Sequence, residues 1–214
     1  MDLIWKNIHI IQRICSSIIY GSFFIYAIIQ NNNTLFHAFS VFLLIGSLYE
    51  LNNMKHKLHL VITIILAIYI IIAFYLLNNI QMRENGDQLI IVLLFQIWAS
   101  DIGGYIIGKT IGKKKFSYIS PKKTWEGLLG SFIFCLLIGY SFQEWITIYI
   151  KTHWIILSGF ITISCIIGDL IISKIKRLNH KKNSGFFLPG HGGFLDRLDS
   201  LFFSILTYYL IICM

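Results

Sequence analysis

Apolar residues recur in seven long runs: Ile14 to Ile29, Leu35 to Tyr49, Leu58 to Leu77, Leu89 to Ile107, Gly127 to Phe142, His153 to Ile172 and Leu201 to Met214. Most charges fall between them. A helix that crosses a bilayer needs about 20 residues, with a usual range of roughly 17 to 25. The second, fifth and seventh runs are short by that standard, and reach it by tilting little or by borrowing flanking residues. The pattern predicts an all-α, polytopic integral membrane protein of about seven transmembrane helices. "QNNNT" and "NNIQMRENGD" punctuate it as short polar turns without an assigned function, and no convincing internal repeat is present.

Composition agrees with that class. Hydrophobic residues make up 56% of the 214, charged residues only 13%, and mean hydropathy is +0.71. Residues 1–214 read as a single transmembrane domain, with N-terminal helices in 1–97 and the chemical motifs in 98–214. No small-residue cleavage site follows the first run, so a retained span is expected there rather than a signal peptide. Cys15, Cys135, Cys165 and Cys213 sit singly in apolar runs without CxxC spacing. They read as small buried hydrophobes, not as a disulfide framework or zinc site.

The formal charge of +8 changes the picture through its distribution. With the N-terminus inside, sixteen of the eighteen lysines and arginines fall on the inner side; only Arg83 and Lys151 fall outside. That bias predicts cytoplasmic basic loops. Because the basic residues cluster beside apolar segments, anionic lipids or phosphorylated substrates fit better than nucleic acid. The two largest basic stretches, around Lys113 to Lys123 and Lys174 to Arg197, are separated by two spans. They therefore open on one face and are able to build one site.

Four carboxylates stand out because charge within or against an apolar segment is costly unless paired or bound to metal. Asp101 lies in "LLFQIWASDIGG", Asp169 in "SCIIGDLIISKIKR", and Asp196 and Asp199 sit three apart in "HGGFLDRLD". Asp169, Ser173 and Lys176 or Arg177 recur at about one helical turn, so one face carries carboxylate, hydroxyl and cation. Two readings of the last pair stand together: ion pairing of Asp196 with Arg197 or Lys176 at a helix start, or metal binding. "PGHGG" supplies a glycine turn whose N–H groups are suited to an anion. Lys122, Lys123, Lys176, Arg177 and Lys182 add positive charge. Carboxylates alone would repel a phosphate; carboxylates holding Mg²⁺ would attract it. The combination suits phosphoryl or nucleotidyl transfer at the membrane face.

In "SPKKTWEG", Ser120 and Pro121 read as a turn or helix start, Thr124 adds a hydroxyl, and Glu126 is placed to orient a lysine or approach the metal. Lys113 to Lys115 read as an anchor to anionic lipid. Gly103, Gly104, Gly108 and Gly112 serve either close helix packing, within or between chains, or close approach to a ligand. A homodimer is accordingly one option. His191 is suited either to a phosphate or to a structural hydrogen bond. The other six histidines carry no ligand spacing.

"SKIKRLNHKKNSGFFLPGHGGFLDRLD", Ser173 to Asp199, resembles the signature of the phosphatidate cytidylyltransferase (CDP-diacylglycerol synthase) family. Its places are held by Ser173, Lys176, Arg177, Lys182, Pro189, His191, Gly192, Gly193, Phe194, Asp196, Arg197, Leu198 and Asp199. "DIGGYIIGKTIGKKKFSYISPKKTWEG" is similar to that family's second conserved region. One departure is Asn183, where the family has aspartate. The similarity runs from about Trp98 to the end.

The resemblance implies transfer of a cytidylyl group from CTP to phosphatidic acid, giving CDP-diacylglycerol and pyrophosphate at the inner face of a bacterial cytoplasmic membrane. It implies Mg²⁺, alone or with a second cation, held by Asp169, Asp196 and Asp199. Lys176 and Arg197 join these acids in the catalytic set. Ser120, Lys122, Lys123, Thr124, Ser173, Arg177, Lys182, His191, Gly192 and Gly193 are expected around the nucleotide and lipid phosphates. A CTP-dependent kinase of a membrane lipid alcohol is the nearest other enzyme. From another class, an ion-coupled transporter fits the intramembrane acids, although the charges concentrate at one face.

Overall fold

The computed structural model describes residues 19–30, 33–54, 60–120, 123–150, 152–181, 184–185 and 192–213. They form α1 (Ile19–Ile29), α2 (Asn33–Asn52), α3 (Leu60–Gln81), α4 (Gly86–Thr110), α5 (Trp125–Ser141), α6 (Gln143–Trp145), a π-helical turn (Ile146–Ile150), α7 (Trp154–Leu178) and α8 (Leu195–Cys213). Strands are absent among the described residues, where one isolated bridge pairs Lys115 with Thr124. The all-α expectation holds.

Four helices, α2, α3, α4 and α7, are long and apolar enough to cross a membrane by length and composition. The second apolar run, expected to be short, lies within a 20-residue helix. Helix α5 remains short at 17 residues, and the 19 residues of α8 begin with three charges. Many large apolar side chains point outward, among them Ile45, Val61, Ile65, Ile133 and Phe160. On a water-soluble bundle these would be a liability; lipid tails accept them. Helix α3 carries the pattern furthest, with a mean hydropathy of 3.0.

Helix ends follow local chemistry. Thr124 caps α5 by accepting the Gly127 N–H at 3.1 Å, and His153 caps α7 through the Ile155 N–H. The segment after α5, which falls between two of the apolar runs, winds into α6 and the π turn, because Ile146 and Ile150 bury against the bundle.

Side-chain bonds to the main chain tie the helices together. Tyr208 donates to the Leu89 carbonyl at 2.6 Å and Tyr69 to that of Phe202 at 2.8 Å. Helices α4 and α5 meet through small residues: a Cβ at Gly130 would lie 2.5 Å from the Ile107 Cβ, and one at Gly103 would lie 2.5 Å from the Gly130 carbonyl oxygen. Gly104 and Gly108 also face α5, so the small-residue spacing serves packing within the chain. Gly130→Ala is expected to overpack this contact at a cost of about 1–3 kcal/mol, read as a lower unfolding midpoint in detergent. Gly159→Ala, whose new methyl meets nothing within 4 Å, should leave the midpoint unchanged or higher.

The bundle has two distinct ends. At one, Arg83 in the α3–α4 turn donates to Cys213 and lies 4.9 Å over the Tyr209 ring. Cys213 is thus exposed, a correction to its reading as a buried hydrophobe, whereas Cys135 and Cys165 are buried thiols. Cys15 lies outside the described residues. At the other end, the last turn of α2, the 111–124 loop, the end of α7 and the start of α8 come together, and Lys181 donates to the Asn53 carbonyl at 3.1 Å.

Candidate active site

The basic loops do converge. Between α4, α5, α7 and α8 lies a cavity of about 460 Å³ lined by Asp101, Lys123, Asp169, Lys176, Asp196, Arg197 and Asp199, with Thr124 at its edge. Asp169 projects from the penultimate turns of α7, where Ser173, one turn on, donates to it at 3.2 Å. Lys123, from the loop before α5, pairs with the other Asp169 oxygen at 2.5 Å. Lys176 reaches across to Asp196 at 2.6 Å. Gly168 makes the arrangement possible, since a Cβ there would stand 2.5 Å from the Asp199 carbonyl oxygen and hold α7 off α8.

Helix α8 starts at Leu195, so Asp196 and Asp199 both lie in its first turns, yet their surroundings differ. Asp196 accepts the Ser184 N–H at 2.7 Å and the Gly193 N–H at 3.2 Å besides its lysine. The ion-pairing reading is realised here with Lys176. Asp199 is 8% exposed and accepts its neighbour's N–H from Ser200. Ser200 also directs its hydroxyl to Asp101 at 3.5 Å. Neither Asp101 nor Asp199 has a cation within ion-pair distance among the described residues. Asp101, singled out in the sequence but given no site role, lines the cavity, as does Ser200.

Other expected site residues lie elsewhere. Arg177 turns away from Lys176 and donates to the Lys181 carbonyl at 3.3 Å. Ser120 sits in the bend ahead of α5, where its carbonyl accepts the Lys123 N–H, and it does not line the cavity. Glu126 orients main chain rather than a lysine side chain: it accepts the N–H groups of Lys113 and Lys114 at 3.1 to 3.3 Å. Gly192 has φ 96°, a conformation that favours glycine. The Gly193 N–H serves Asp196, while those of Phe194 and Leu195 serve Glu50 on α2. In the described part of the turn, the anions cradled are the chain's own carboxylates. Lys122, Lys182, Asn183, Pro189 and His191 lie outside the described residues.

As to a metal, oxygen donors of this kind suit a hard divalent cation. The surplus of carboxylates over paired lysines leaves negative charge facing the cavity. In their present positions, no three such groups among the described residues are arranged to hold an ion.

Comparison with known proteins shows relatives of this chain. Phosphatidate cytidylyltransferase from Bacillus subtilis (strain 168) is 36% identical over 154 residues, covering 69% of this chain and 56% of that one. The Synechocystis protein of the same name is 42% identical over 129 residues, covering 58% and 43%. That of Rickettsia bellii is 33% identical over 197 residues, covering 88% and 84%. The chain thus spans about half the length of the first two curated relatives and most of the third. The cytidylyltransferase family profile matches residues 8–214, which takes in every helix described above, and the chain belongs to that family.

Proposed function

We propose that this protein is a phosphatidate cytidylyltransferase, converting CTP and phosphatidic acid to CDP-diacylglycerol and pyrophosphate. The observation that carries the reading is the cavity of four aspartates with Lys123, Lys176 and Arg197 at one end of an apolar bundle. A phosphate oxygen of the lipid attacks the α-phosphorus of CTP. The bond from that phosphorus to the bridging oxygen breaks, and pyrophosphate leaves with its electron pair. The nucleophile is already an anion and needs little help from a base. The barrier lies in bringing two polyanions together in line. Lys123 and Lys176 offset that repulsion and orient phosphates, exchanging aspartate partners for phosphate oxygens. Mg²⁺, when bound, supplies further positive charge at those oxygens; Asp169, Asp196 and Asp199 would hold it, with Asp101 the fourth acid beside them. The acyl chains stay in the bilayer.

Product identification with labelled CTP and phosphatidic acid tests the reading. Label in CDP-diacylglycerol with pyrophosphate released supports it; CDP with a phosphorylated lipid alcohol replaces it with a kinase. A further expectation separates the loop lysines: Lys123→Ala should depress turnover well beyond Lys114→Ala, because Lys123 reaches Asp169 across the cavity. Equal small effects would reduce the loop to lipid anchoring.

We also place the N-terminus, the 111–124 loop and the α7–α8 connection in the cytoplasm of a bacterial cell, with about seven spans in its inner membrane. The distribution of basic residues supports this. Cysteines introduced at positions 116 and 179 should label from the cytoplasmic side only. Labelling of the two from opposite sides would dismantle the shared site.

A further inference from the structure

We propose that Glu50, on α2 and outside both motif regions, is a positioning residue that sets the turn from which Asp196 and Asp199 project. Its activity arm rests on the transferase reading; its structural arm does not.

Glu50 is 1% exposed. One carboxylate oxygen accepts the Phe194 N–H at 2.9 Å, and the other accepts the Leu195 N–H at 3.0 Å and the Ser184 hydroxyl at 2.8 Å. The two N–H groups belong to the start of α8, where main-chain donors lack helical partners and a negative charge is favoured. Three donors compensate a carboxylate that would otherwise be costly to bury.

The chain makes room for this contact from both sides. A side chain at Gly193 or Gly185 would collide with the Glu50 carboxylate. Phe42, Gly46 and Glu50 are spaced by four and share one face of α2. The Phe194 ring packs edge-on to Phe42 at 5.5 Å, over Gly46, where a Cβ would lie 2.5 Å from the ring. Helix α2 therefore grips the turn by a ring and by a charge.

Ser184 extends the grip into the cavity. Its hydroxyl donates to Glu50 while its N–H donates to Asp196, which in turn pairs with Lys176. A shift of Glu50 is transmitted through Ser184 and the Gly193–Leu195 main chain to a carboxylate and a lysine of the site. Glu50 itself does not line the cavity.

The test compares wild type, Glu50→Gln, Glu50→Asp, Gly193→Ala and the Glu50→Asp/Gly193→Ala pair, each purified in detergent. Amide exchange is followed at residues 192–200 and, as reference, in the α4–α5 contact. Steady-state kinetics separate kcat from KM for CTP. Glu50→Gln keeps the shape but turns an amide towards the donors. It should speed exchange at 192–200 only and lower kcat about 10- to 100-fold, the range for losing a partner that orients a site group, with KM little changed. Gly193→Ala should lose activity because its methyl meets Glu50. The pair should regain part of it, because the shorter acid yields that space. General destabilisation does not produce such rescue.

Unchanged exchange at 192–200 in Glu50→Gln overturns the proposal, as does additive loss in the pair, which decides the matter if Glu50→Gln does not fold. If wild-type protein shows no cytidylyl transfer, the functional reading fails while the exchange data still decide the role of Glu50.

Discussion

Asp199→Asn is expected to reduce turnover at least about 100-fold, beyond the roughly 10- to 100-fold typical of residues that only support a metal ligand, while leaving the bundle as stable as wild type or more so. The two effects have one cause. Asp199 is nearly inaccessible, shares the cavity with Asp101 and Asp169, and has no cation at ion-pair distance among the described residues. Its charge is therefore repelled and poorly solvated in the resting protein, a cost that the proposed role in holding a cation beside the nucleotide would account for. Asparagine keeps the size and an acceptor for the Ser200 N–H, removes the repulsion, and under the proposed role should remove the turnover. Turnover measured across Mg²⁺ concentrations, beside thermal midpoints in detergent, checks both halves. Wild-type rates with unaltered metal dependence would take Asp199 out of the site.

Lys176→Met should cost stability as well as turnover. Lys176 and Asp196 are 11% and 8% exposed at a separation of 2.6 Å. Removing one partner of such a pair strands the other, typically at about 3–5 kcal/mol. Two main-chain N–H groups still solvate Asp196, which places the expectation at the lower end of that range. Adding Asp196→Asn should recover much of the stability, because the stranded charge is gone, and none of the turnover. A double-mutant cycle on unfolding and on rate separates the two. Equal losses in the single and double substitutions would show that the ion pair is not what holds α7 to α8.

The helices were legible from the sequence because their signal is local: a run of isoleucine and leucine with charges at its edges reads alike in any context. Much of the cavity was legible for a related reason. Asp169, Ser173 and Lys176 follow the helical repeat, and Lys123 and Asp169 lie on loops and helices that the alternation of spans brings to one end. What escaped depends on partners that have no letter in the sequence. Glu50 looks like a boundary charge after "FLLIGSLY", because two of its three donors are main-chain N–H groups in residues more than 140 positions away. Arg177 was grouped with Lys176, but adjacent residues on a helix are about 100° apart, and only one of them turns inward. The glycines of α4 carried two equal readings, and the opposing small residues on α5 decide between them.

The grip of α2 on the last turn also bears on biosynthesis. Glu50 leaves the ribosome 144 residues ahead of Phe194, an interval of roughly 7 to 30 s at about 5–20 residues per second. Until Ser184 emerges, 134 residues after Glu50, its carboxylate has none of the donors that later enclose it, and the earlier helices must wait in the bilayer with the notch beside Gly46 open. The motif-bearing half of the chain is unable to complete its own active turn, however fast it inserts. Closure comes with the arrival of α8, so a turn that forms late in the order of the chain is held by a helix that forms early, and α2 serves the geometry of the cavity as well as the bundle.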